Sequence, residues 1–145
     1  MMKKLLAIGI TGALAAGLSF GAFAAGNVTN EVSTAHAHAL MARSAKTLTV
    51  AHMHLHHVIN CLVGPEGAGF STKFADPCKG QGNGAIPDAT SDAAMHSKLE
   101  TALSEAQTGL KSDQLAAVHS DAAKIAATLQ DTGTPAAKAS GGYSW

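Results

Sequence analysis

Positions 52 to 57 read His-Met-His-Leu-His-His, which gathers half of the chain's 8 histidines and one of its 5 methionines. Two more histidines, His36 and His38, come shortly before. Neutral imidazole is the commonest protein ligand for transition metals. A thioether adds a preference for soft ions such as Cu(I). Residue types and density together point to transition-metal binding, with copper ahead of zinc or nickel.

Spacing decides which of these groups can cooperate on a helix. His52 and His56 are four residues apart and face the same way, so they form a ready bidentate pair. His54 and His57 project from a different sector, and His36 shares the sector of His54. His38 lies on the side of His52 and His56, but about 21 Å away along a continuous helix axis. On one unbroken helix these six histidines cannot form a single shell, and His52 with His56 is the favoured pair.

Methionine adds a second layer. His38-x-x-Met41 and Met53-x-x-His56 place imidazole and thioether one turn apart, and Met95-His96 places them side by side. These short motifs resemble those of periplasmic copper- and silver-binding proteins. The resemblance covers those few residues and implies a soft-ion site. His96 and His119 border the apolar stripes of later helices. Either could complete a site with His52 and His56 at a bundle interface, where such metal sites are commonly built. Glu100, four residues after His96, would then be a ligand or an acceptor behind one.

Other chemistries compete with this reading. A histidine-rich face can simply be solvated, or it can sense pH as its imidazoles charge between about pH 5 and 7. A helical bundle can hold b-type haem through His/His or His/Met ligation. Against that, only Phe70, Phe74, Tyr143 and Trp145 supply aromatics beyond residue 24. Covalent c-type haem is excluded by the absence of Cys-x-x-Cys-His. From another class, the long His-rich helix could serve a structural or interaction protein. His-Glu-x-x-His, a Ser-His-Asp arrangement and paired Glu-x-x-His motifs are all missing. The expectation is a non-enzymatic binder, although an open redox-active position would leave no mark in sequence.

Helices must position these groups. No Gly or Pro interrupts Glu31 to Leu62, and Asn27 to Asn30 offers N-caps. At 100° per residue, Ala37, Met41, Ser44, Leu48, Ala51, Leu55, Ile59 and Leu62 share one face. Val63-Gly64-Pro65 ends the run. Gly64 to Pro87 reads as a glycine-rich loop. A helix capped by Asp88, Thr90 or Ser91 then ends near Gly109, with Met95, Leu99, Ala102, Leu103, Ala106 and Leu110 on its apolar face. Another runs from Ser112 or Asp113 to Gln130, with Leu115, Val118, Ala122, Ile125 and Leu129 inward.

The expected fold is all-α: a helical bundle of one long helix plus an antiparallel helical hairpin, with a Gly-rich disulfide-closed loop. The lengths disagree, because the long helix would span about 48 Å and its partners about 27 Å. Either it breaks in two, giving four helices, or its overhang pairs with a second subunit in a homo-oligomer.

The chain ends supply the compartment. Met1 to Lys4 is positive, Leu5 to Phe20 is apolar, and Ala22-Phe23-Ala24 fits a small-x-small cleavage site. Residues 1–24 therefore read as a secretory signal peptide, 25–130 as the helical bundle domain and 131–145 as a flexible C-terminal tail. The expected location is periplasmic or secreted. There, Cys61 and Cys78 are expected to form a disulfide, worth about 3 kcal/mol on a chain-entropy argument. The alternative is a thiolate ligand, since His57 and Cys61 share a helical face. Loss of Lys3 and Lys4 leaves two more acidic than basic residues. With no basic patch to meet a phosphate backbone, a nucleic-acid partner is excluded. No second apolar segment is long enough for stable membrane insertion, so the expected partner is a metal ion.

Overall fold

A computed structural model describes residues 26–133, all of whose regular structure is helical. The elements are α1 (Val28–Ser44), α2 (Leu48–Val63), α3 (Ala85–Asp88), α4 (Ala93–Gly109) and α5 (Leu115–Gln130). The proposed signal peptide and the tail from residue 134 lie outside the described residues. α1 and α2 make one hairpin and α4 and α5 make another. The two pack through α1 against α5 and α2 against α4.

The stretch read as one long helix divides at Ala45–Thr47. Ala45 leaves the helical region at ψ 142°, and Thr47 is extended, with its side chain accepting a hydrogen bond from the Val50 N–H. Neither Gly nor Pro is needed. Threonine is a good N-cap, and the Ser44 hydroxyl turns back to donate to the Met41 carbonyl at 3.3 Å, a local bond that competes with helix continuation. From α5, His119 Nε2 donates to the Ala45 carbonyl at 2.9 Å. It thereby satisfies one of the acceptors that a helix end exposes.

This break resolves the mismatch of lengths. The four main helices have 17, 16, 17 and 16 residues. It also resets the helical phase and corrects the expected face. The core of α1 is Val32, Ala35, Ala39 and Ala42, whereas Ala37 and Met41 are half-buried and Ser44 is exposed. In α2 the expected Ala51, Leu55, Ile59 and Leu62 are buried. The small alanine side chains let α1 approach its neighbours closely.

The second hairpin follows its sequence pattern more closely. Leu99, Ala102 and Ala106 of α4 are buried, with Val118, Ala122, Ile125 and Leu129 of α5. The cap of α4 is Asp92, which accepts from the Met95 N–H at 2.9 Å, rather than Asp88, Thr90 or Ser91. α5 starts at Leu115 because Ser112 is spent inside the turn, its hydroxyl accepting from the Gln114 N–H. Gly109 is buried at the end of α4. A Cβ there would lie 2.8 Å from Leu55 Cδ1 and 3.5 Å from Asp121 Cβ, so the glycine permits the close approach of α2 and α5.

The connection between the hairpins is folded against α1 and α2. The Cys61–Cys78 disulfide forms, with a Cα–Cα separation of 5.2 Å. Asn60 Nδ2 donates to the carbonyls of Ser71 and Ala75, each at 3.1 Å, and its Oδ1 accepts from the Ser71 N–H at 2.9 Å. Part of the expected loop is the short helix α3. Just before it, fully buried Glu31 accepts from the Gly84 N–H at 2.8 Å. Burial raises the Glu31 pKa to about 7, aided by the negative charges of Asp88 and Asp76 and opposed by the Gly84 bond.

Candidate metal centre

The break that splits the first hairpin also builds its chemical site. His38 lies seven residues before Ala45, and His54 lies seven residues after Thr47. Folding α2 back on α1 sets these two positions opposite each other, and His57 sits one turn further along α2. His38 Nδ1 lies 3.1 Å from His54 Nδ1 and 3.3 Å from His57 Nδ1. All three rings are buried. They meet tilted or edge-on, with centroids 4.7 to 5.6 Å apart.

Hydrogen bonding alone does not account for both close contacts. A neutral imidazole nitrogen either carries one proton or offers one lone pair. His38 Nδ1 can therefore satisfy one of its two Nδ1 neighbours, not both. An ion between them would engage all three at once. Metal–nitrogen bonds of tetrahedral zinc, for example, place neighbouring ligand nitrogens about 3.3 Å apart, close to the spacing of His38 from His54 and from His57. The cluster could hold a transition metal ion.

Electrostatics hold these imidazoles in the form that can bind metal. Burial lowers the His38 pKa to about 3, helped by the charges His57 and His54 would carry. Burial lowers His57 to about 4, helped by His54 and His56. Burial also lowers His54. All three imidazoles are thus neutral at pH 7 and need lose no proton to coordinate.

The remaining histidines have other places. His52 and His56, the pair favoured by spacing, stay neighbours on α2 but lie outside the cluster of His38, His54 and His57. The His56 ring stacks on Phe74 with centroids 3.9 Å apart. Its pKa is lowered by burial and by His52. His52 Nε2 and His36 Nδ1 are buried without a hydrogen-bond partner among the described residues, and burial lowers the His36 pKa. Half-buried His96 lies 3.8 Å from the Glu100 carboxylate on the same helix. His119 spends its Nε2 on the break at Ala45. With both cysteines joined in the disulfide, a thiolate ligand is ruled out.

A cavity of about 540 Å³ adjoins the cluster on the α2 side. His54, His57 and Met53 form one side of it, and Lys73, Phe74 and Ala75 form the other. Asn60 and the disulfide fix that second wall to the helix that carries His54 and His57.

Sequence spacing separated His54 and His57 from His52 and His56, but it put His38 with the wrong partners for this hairpin. The available signal was Thr47, a capping residue four positions before Ala51, where the buried phase of α2 begins. Comparisons with protein-family models, curated proteins and solved structures return no match.

Proposed function

We propose that this chain is an exported, non-enzymatic binder of a late transition ion. It holds the ion with His38, His54 and His57 and serves to buffer or deliver it, with copper ahead of zinc and nickel. One observation carries the reading: three buried, neutral imidazoles converge, with His38 Nδ1 3.1 Å from His54 Nδ1 and 3.3 Å from His57 Nδ1 and one ligand atom of each ring within 4.8 Å of the others. Copper is favoured because Met53 lines the adjoining cavity. It precedes His57 by one helical turn and would offer a soft fourth donor. Export is supported by the signal-like residues 1–24 and by a disulfide that suits an oxidising compartment. Haem is disfavoured because His38 Nδ1, 3.1 Å from His54 Nδ1 and 3.3 Å from His57 Nδ1, leaves no room for a porphyrin plane between those rings.

The test is metal analysis of the untagged, exported chain, followed by titration with copper, zinc and nickel. One ion per chain is expected. Binding should vanish in His38→Ala and His57→Ala and persist in His96→Ala. A folded chain with no measurable affinity for any of these ions would overturn the reading.

A further inference from the structure

The cluster supplies three ligands, and a four-coordinate ion needs one more. Among the described residues no carboxylate or thiol joins His38, His54 and His57. Three neutral imidazoles leave the full charge of a divalent ion uncompensated in a buried position, and such a charge is costly unless it is paired. The cavity beside His54 and His57 makes no correction from the protein's side. Among its lining residues only Lys73 carries a fixed charge, and that charge is positive. The rest of the lining is apolar or thioether, from Val50, Phe74, Ala75 and Met53. At about 540 Å³ the cavity has space for a small ligand as well as water. A bound divalent cation is itself the largest local charge in such a site.

We propose that the divalent-metal form takes a small monoanion, of the carboxylate or pseudohalide class, as its fourth ligand in this cavity. Lys73 at the rim draws the anion in. The proposal rests on the metal reading above. Met53 is the internal competitor for the same position. Its soft sulfur suits Cu(I), whereas a harder divalent ion prefers oxygen or nitrogen donors. The site would then exchange its fourth ligand according to the ion it holds.

Cobalt(II) tests this, because its visible bands report coordination number and donor type. The chain is loaded with cobalt and titrated first with azide and then with acetate as competitor. Azide should shift the bands saturably, and acetate should reverse the shift. Lys73→Met should weaken azide binding by up to about fivefold, as expected for one exposed charge, while leaving cobalt affinity unchanged. If cobalt binds but azide in large excess leaves the spectrum unmoved, the anion proposal fails and the metal reading stands. If azide acts only in Met53→Leu, the thioether fills the position in the native chain and the proposal again fails. If cobalt does not bind at all, the anion proposal fails in this form, and the copper, zinc and nickel titrations above decide the metal reading separately.

Discussion

The two helical hairpins have nearly the same helix lengths but very different interiors. Every buried polar or charged residue among the described residues belongs to the first: Glu31, His36 and His38 on α1, and His54, His57 and Asn60 on α2. The second buries Leu99, Ala102, Ala106 and Gly109 on α4, and Val118, Ala122, Ile125, Ala126 and Leu129 on α5. A buried polar group is costly unless it is satisfied. An apolar side chain in the same place is stabilising by about 1.5–3 kcal/mol. The contrast separates the labour of the bundle: the buried face of the α4–α5 pair is apolar throughout, whereas the α1–α2 pair combines its own apolar core, with Leu55, Val58, Ile59 and Leu62, with buried polar chemistry.

Substitutions should respect this division. The largest effect is expected at a ligand. His57→Ala should weaken metal affinity by more than about 100-fold, since even outer partners of ligands account for 10- to 100-fold. Calorimetric titration checks it. Leu99→Ala in the second hairpin should instead lower unfolding free energy by about 2–5 kcal/mol while the folded fraction still binds one ion. Denaturant unfolding combined with metal analysis gives both readouts. Loss of metal binding by a folded Leu99→Ala chain would erase the contrast between the hairpins.

A smaller effect distinguishes polar burial from metal binding within the first hairpin. Glu31 holds a proton in the folded chain up to about pH 7, whereas an ordinary glutamate releases it near 4.5. The folded state therefore binds more protons between those values. Its contribution is fullest below about pH 4.5 and is lost as pH rises toward 7. Glu31→Gln removes this titration and keeps a neutral group beside Gly84, Asp88 and Asp76. The metal-free variant should gain stability relative to the native chain across that window, by up to about 3 kcal/mol. Unfolding midpoints at stepped pH values provide the measurement, and parallel curves for the two chains would count against a buried neutral Glu31.

The smallest effect should come from the one side chain of α5 that steadies the break. His119→Ala removes the donor to the Ala45 carbonyl and should cost about 1 kcal/mol. Hydrogen exchange should show it as faster opening at residues 45–48, with α4 protected as before.

How far the fold was legible depended on phase. The apolar stripes of α4 and α5 run uninterrupted, so Leu99, Ala102, Val118 and Ile125 could be placed from periodicity alone. The stripe drawn through Ala37, Met41 and Ser44 failed because it was extended across a break that contains no Gly or Pro. Three residues outside the helix are enough to rotate one half against the other. The disulfide followed from two cysteines and from reading residues 1–24 as an export signal. The site was legible as a histidine-rich region but not as a particular triad. Which imidazoles meet is decided by where the chain turns, and helical spacing along α2 alone contains no information about α1. His119 shows the same limit from the other side, because its partner is a backbone carbonyl that exists as a free acceptor only once the break has formed.

The position of that break also has a consequence for the order of assembly. The close nitrogen contacts join residues only 16 and 19 positions apart in sequence. Closing so short a loop costs little entropy, and local contacts of this kind form early relative to distant ones. The histidine cluster thus belongs to the part of the chain that can close first, before the second hairpin docks. An ion present during refolding should speed the folding step itself, in addition to slowing unfolding. Stopped-flow refolding with and without metal would show whether the bundle is built around an ion or takes one up after it is complete.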